Sequence, residues 1–333
     1  MRNSLVLCLI LLSNCDSLPF YLLDQGLHQG SILLKAKKIN TLIKNKNIDV
    51  ETKEKLKLAQ KVIQFCKNEL KFNIDTSYST YVYLQNDYLI QAVNAAYKNK
   101  LEPYNFKYPI YGELPYKGFF KEEDAKKLEK KLINQGLDTH RRKVSAYSTL
   151  GWLSDPIYST MLNDDFNLIE TLIHELVHKQ VYLKDNADFN EALATWYARK
   201  AMKDFINSKY FVSKDKKLWQ IKINQSEKQN ILMIKAVQTS INKARNFYKN
   251  NKDLNKRDEL FNEIYQLFKS SGLIKKTFKK ETINNAWILG LATYLDWIPN
   301  IEKYAIKNNI SYKKLLLLAK KQKHNLIINI SKI

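Results

Sequence analysis

The stretch "TLIHELVHKQ", Thr171 to Gln180, constrains this chain more than any other. Its histidines, His174 and His178, stand four apart in a run whose apolar residues recur at the spacing of a buried helical stripe. Those residues are Leu168, Ile169, Leu172, Ile173, Leu176, Val177 and Val181. The run reads as a helix with one face in a core. Residues four apart on a helix are separated by about 40° around its axis, so both imidazoles project from one side and can reach a single cation. Glu175 is offset beside them, where it would touch a water on that cation rather than the cation itself. Chance is a poor source of the pattern. With five His and sixteen Glu in 333 residues, H-E-x-x-H arises about 0.004 times per random shuffle.

Two histidines are an incomplete site, because a catalytic zinc takes three protein ligands and leaves one position for water. The next segment, "VYLKDNADFNEALATWYARKA", reads as a second helix with Ala192, Leu193, Trp196, Tyr197 and Ala201 on its apolar side. Glu191 then has two readings. In one, a turn at Lys184–Asn186 brings it beneath the histidines as third ligand. In the other, Asp188 is an N-cap and Glu191 is its capping-box partner. Thr195, one turn further, is placed to hydrogen-bond a ligand from behind. The bland alternative for His174 and His178 is a pair of core or solvated histidines. In the ligand reading, a metal on His174, His178 and Glu191 keeps one position for a water that Glu175 can touch.

Several blocks, taken in order, extend the case beyond one motif. "FYLLDQGLHQGSILLKAKKI", "YPIYGELPYKGFF", "SAYSTLGWLSDPIYSTML", "IHELVHKQVYLKDNADFNEALATW" and "NNAWILGLATYLDWIPNIEKY" together resemble a family of predicted bacterial zinc aminopeptidases within the glutamate-ligand zincins. The resemblance implies an α+β, predominantly α-helical fold with a zincin-like core, a small sheet and a helical C-terminal part. It also implies one Zn²⁺ on His174, His178 and Glu191, Glu175 as base, and a peptide substrate. Two departures stand out. Thr195 occupies a position where well-known glutamate-ligand zincins carry an acidic residue, and their G-x-M-x-N exopeptidase strand is missing. Both aminopeptidase and endopeptidase readings therefore stay open. So does a non-catalytic zinc site in a lipid-anchored binding protein, although a structural site would need a fourth ligand and only three can be named.

"KVSAYSTLGWL" reads as a strand, and Ser145–Trp152 within it is the candidate wall for an extended peptide. Tyr147 from this strand and Tyr294 from "ATYLDWIP" are candidates for a hydrogen-bond donor to the transition-state oxygen; His28 and His140 are weaker ones. Residues 25–70 read as helical, Tyr78 to Leu114 as short strands, and "KEEDAKKLEKKLINQGL" as a helix ending near Gly136. The expected organisation is a signal segment at 1–14, an N-terminal helical segment at 15–75, a catalytic core at 76–205 and a helical C-terminal subdomain at 206–333.

The N-terminus, "MRNSLVLCLILLSNC", has an apolar run from Leu5 to Leu12, too short to span a bilayer and suited to a secretory signal. Cys15 at its end resembles a lipoprotein cysteine, so an extracytoplasmic, membrane-anchored protein is expected, with an anionic membrane surface as partner. An ordinary first helix in a cytoplasmic protein is the alternative. If Cys8 and Cys15 belong to the signal, only Cys66 remains unpaired in the mature body, and one cysteine cannot form an intramolecular disulfide. The net charge of +22 rests largely on dispersed lysine. That pattern lacks the arginine and clustered aromatics of a nucleic-acid surface, so no nucleic-acid partner is expected. Oligomeric state is not legible.

Overall fold

Two amphipathic stretches open the described chain as α1 (Leu18–Leu33) and α3 (Val50–Asn68), with the short α2 (Ile39–Lys44) between them. The computed structural model describes residues 18–108, 112–147, 149, 154–212, 215–250 and 253–332. The signal segment and Cys15 lie outside these. Helix α3 starts where the Asp49 side chain accepts from Thr52 N at 2.7 Å, and buries Leu56, Ala59, Val62, Phe65 and Cys66 at helical spacing. No described helix is long and apolar enough to cross a membrane.

The Tyr-rich region from Tyr78 to Leu114 forms short strands, as its alternation suggests: β2 (Thr80–Val82), β4 (Phe106–Tyr108) and β5 (Gly112–Leu114), while β1 (Lys37–Lys38) interrupts the stretch read as helical. The main sheet takes its central strand from the same region. Its central strand is β3 (Ile90–Tyr97), flanked antiparallel by β6 (Tyr116–Phe119) and β7 (Leu137–Val144). Helix α4 (Glu122–Asn134) covers one face through Val93, Ala95, Phe119, Ala125, Leu132 and Leu137. Gly136, at φ +80°, follows that helix in the left-handed conformation a C-terminal stop favours. A second small sheet joins β1, β2 and β8 (Ile157–Tyr158).

The strand read from "KVSAYSTLGWL" is corrected. Strand β7 lies earlier and ends at Val144, while Ser145–Tyr147 and Thr149 are irregular; the other wall residues to Trp152 lie outside the described set. The cause is charge. "THRRK" looks like a solvated turn, yet Arg141 reaches Glu122 and Glu129 of α4 while Arg142 points to the opposite face.

Helices α5 (Asp165–Gln180) and α6 (Ala187–Asn207) pack together at the centre, with α3 behind α5. Asp164 caps α5 by accepting from Asn167 N at 2.9 Å, and the expected stripe from Leu168 to Val177 is fully buried. The C-terminal part is helical: α7 (Lys216–Asn250), α8 (Arg257–Ser270), α9 (Asn285–Leu295), α10 (Ile298–Lys307), α11 (Tyr312–Gln322) and α12 (His324–Ser331). Helix α9 lies between α6 and the free face of the sheet. It is tied to the sheet end by Asn285, whose Nδ2 donates to Tyr97 O at 2.8 Å, and by Asp138, which accepts from Asn285 N and pairs with Arg257. One hydrophobic core runs from Ile39 to Ile330. The fold is thus α+β and predominantly helical.

Candidate metal centre

Helix α5 carries His174 and His178 on the edge of its buried stripe, and both face α6. The chain reverses at Lys184–Asn186, where Asp185 adopts φ +62° and its Oδ1 accepts from Glu113 N at 2.9 Å. Asn190 then closes the corner, bonding both N and O of Leu183. This corner overturns the capping reading. Helix α6 begins at Ala187 after Asn186, which makes no side-chain cap bond, so Asp188 is inside the first turn. Phe189, not Glu191, therefore holds the capping-box position.

Glu191 instead turns to the histidines. Its Oε2 lies 3.1 Å from His174 Nε2 and 3.5 Å from His178 Nε2, and the two Nε2 atoms are 3.0 Å apart. Such a triangle suits one cation. A tetrahedral face on bonds of about 2.0–2.1 Å has edges of roughly 3.3 Å. Two imidazole nitrogens and one carboxylate oxygen are also a zinc donor set. Thr195 Oγ1 stands 3.4 Å from His174 Nδ1, behind the ring, while His178 Nδ1 is buried without a partner. His174, His178 and Glu191 form the metal-competent group found among the described residues, and no fourth protein ligand joins them there.

The electrostatics follow from this crowding. Burial alone would raise the Glu191 carboxyl, but the His178 charge and hydrogen bonds from both rings hold it well below the usual carboxylate range. Burial pushes the His178 imidazole down, and Glu191 more than offsets this, lifting it above its ordinary value. Glu175 behaves differently. Burial raises its carboxyl, only partly countered by the two histidines. It lines the same cavity, and among the described residues no donor hydrogen-bonds it.

That cavity, of about 780 Å³, lies between α5, α6, α9, the free face of the main sheet and α1. It is of a size that holds small ligands. Tyr294 enters it from α9, its ring 6.4 Å from that of His174. Its hydroxyl accepts from Arg142 Nη2 at 3.0 Å and meets no acceptor for its own hydrogen among the described residues. Burial carries the Tyr294 hydroxyl up to about 12. Tyr147 also lines the cavity, but its hydroxyl donates to Gln29 Oε1 at 2.6 Å. His28 and His140 are not among the lining residues, and Glu170 is paired with Arg199 at 3.1 Å.

Arg142 and Tyr116 are lining residues that reading the sequence missed. Arg142 was recognisable only by its parity in β7: it alternates with Arg141, and nothing local says which arginine faces α4. Tyr116 is one of twenty tyrosines.

Fold and site define a predominantly helical α+β protein whose two central helices present a metal-competent His–His–Glu group to a deep cavity. The chain belongs to the family described as "Putative aminopeptidase", whose model matches residues 20–324. No curated protein and no solved structure matches it. Membership assigns it, at a coarse level, to the peptidases.

Proposed function

We propose that the protein is a zinc-dependent peptidase, acting as an aminopeptidase, with His174, His178 and Glu191 holding one Zn²⁺ and Glu175 as general base. The observation that carries this reading is the convergence of the three ligand atoms beside a buried carboxylate that no protein donor occupies. Zinc there supplies Lewis-acid polarisation of a peptide carbonyl and eases deprotonation of water. Glu175 accepts a proton from the attacking water. The water oxygen bonds to the carbonyl carbon, the C–N bond breaks, and Glu175 returns the proton to the leaving amine. Tyr294, its hydroxyl held from behind by Arg142, donates to the carbonyl oxygen as charge gathers there. Thr195 orients the His174 ring. A purely structural site is disfavoured by the lack of a fourth ligand among the described residues.

Glu175→Gln is the direct test. The variant should bind zinc near stoichiometrically and lose hydrolysis by at least ~10². Digests of a mixed peptide library, read by mass spectrometry, should show stepwise loss from N-termini; internal cuts would mark an endopeptidase with the same site. Unchanged turnover by a zinc-free preparation would remove the mechanism altogether. We also propose lipid anchoring at Cys15. Cys15→Ala should then leave the membrane fraction or retain an uncut N-terminus, and a wild-type protein found in cytosol with Met1–Asn14 intact would refute anchoring.

A further inference from the structure

The cavity contains no lysine among its described lining residues, although the chain carries 55 Lys+Arg. Its cations other than the metal-site histidines are two arginines. Arg199 is spoken for by Glu170 at 3.1 Å. Arg142 is different. It forms no ion pair among the described residues, and its single hydrogen-bond acceptor there is Tyr294 Oη at 3.0 Å. Its Nε is buried and unpartnered. The guanidinium is flanked by aromatic faces, 5.3 Å from the Tyr294 ring centroid and 5.6 Å from that of Tyr116.

A half-buried guanidinium with one neutral acceptor and no carboxylate is costly for a chain to keep, because desolvated charge is normally paired. Glu191, the nearby acid, is turned towards the imidazoles instead. Register places Ala92 directly across from Arg142, so one of the smallest side chains adjoins it on the sheet. Planar, forked N–H donors match a carboxylate better than any other group of a peptide.

We propose that Arg142 is a receptor for the substrate's free carboxylate, so that the preferred substrates are short peptides whose C-terminus reaches into this cavity. Peptide as the ligand rests on the reading above; the charge recognition does not need the metal. The cavity volume of about 780 Å³ bounds the peptide to a few residues, and the carboxylate end anchors it against the sheet while the triad lies towards α5 and α6.

The test uses the full chain stripped of metal, so that nothing turns over. Tri-alanine and tri-alanine amide are each titrated calorimetrically. The acid should bind ~10-fold or more tightly than the amide, the range expected for a hydrogen-bonded charge. Arg142→Gln should abolish that preference, so that acid and amide bind with equal affinity. Arg142→Lys, which keeps charge but not the fork, should retain a reduced preference and serves if the glutamine variant does not fold. Equal affinities in the wild type, or a preference that survives both substitutions, overturn the proposal. So does a variant that, with zinc restored, slows hydrolysis of acid and amide alike without any binding preference, since the guanidinium would then serve the transition-state oxygen. A protein that prefers the acid yet hydrolyses nothing once zinc is restored would instead refute the peptidase reading and leave this one standing.

Discussion

Glu191 is held by two imidazoles rather than by a helix terminus, and that decides what its loss should do. Glu191→Ala should weaken zinc binding by more than ~100-fold, beyond the 10–100-fold typical of a partner behind the ligands. Glu170→Ala, one turn before His174 but paired with Arg199, should bind zinc within a few-fold of wild type. Zinc titrations of both check this, and the reverse pattern would move the third ligand onto α5. The metal-free protein should also be sensitive to pH in a defined direction. The depressed Glu191 carboxyl contributes stability fully above its unfolded value of about 4.3, and loses it as pH falls through the lower folded value. The raised His178 contributes fully below its unfolded value of about 6.5, and loses it as pH rises through the higher folded value. The window favouring both runs from about pH 4.5 to 6.5. Thermal melts of metal-free protein should therefore fall between pH 6 and 8.5, while zinc affinity rises because the ion competes with that proton. A flat or rising melting temperature over that interval contradicts the pairing.

Elements differ in how far their own residues announce them. Helix α5 was legible because its stripe and its histidines lie within one local run. The turn before α6 was legible too, but not the start of that helix, since Asn186 lacks a side-chain bond that would mark it. Strand β3 falls inside the stretch read as short strands, but its own residues do not mark its length: buried from Gln91 to Ala96 on both faces, "IQAVNAAY" shows no alternation. Arg142 owes its place to Tyr294, 152 residues away, and no local pattern encodes that. Two glycines show the same dependence on neighbours and make a paired prediction. Gly290 lies inside α9, and a Cβ there would meet Asn94 at 3.6 Å, an ordinary contact. Gly290→Ala should stabilise by up to ~1 kcal/mol through helix propensity. Gly112 has φ +80°, and its Cβ would fall 1.9 Å from Asp185 Oδ1 at the corner before α6. Gly112→Ala should cost about 1–3 kcal/mol for the strained backbone, and more if Asp185 is displaced. Urea unfolding of both variants checks the signs; matching signs would mean the corner or the helix yields more than these contacts allow.

At the scale of the whole molecule the dominant feature is charge that the fold does not neutralise. The net charge is +22, and ion pairs such as Lys243–Glu263 and Lys57–Glu54 are largely exposed. Each such pair contributes about 0–1 kcal/mol and weakens with salt. Self-repulsion among the excess lysines acts over longer distances and also weakens with salt, but in the opposite sense, because it destabilises the compact state. The screening length falls from about 30 Å at 0.01 M to about 10 Å at 0.1 M, so repulsion between distant lysines is cut well before contacts of a few ångströms are. Repulsion should therefore dominate the response to added salt. Between 10 and 150 mM sodium chloride the melting temperature should rise by at least ~2 °C, which corresponds to roughly 1.4 kcal/mol for a chain of this size. The buried triad, by contrast, should show little of this screening at the contact distances of 3.0–3.5 Å that define it. Differential scanning calorimetry across that range decides the matter. A falling melting temperature would mean that exposed ion pairs, not the surplus of lysine, govern how this protein responds to its ionic surroundings.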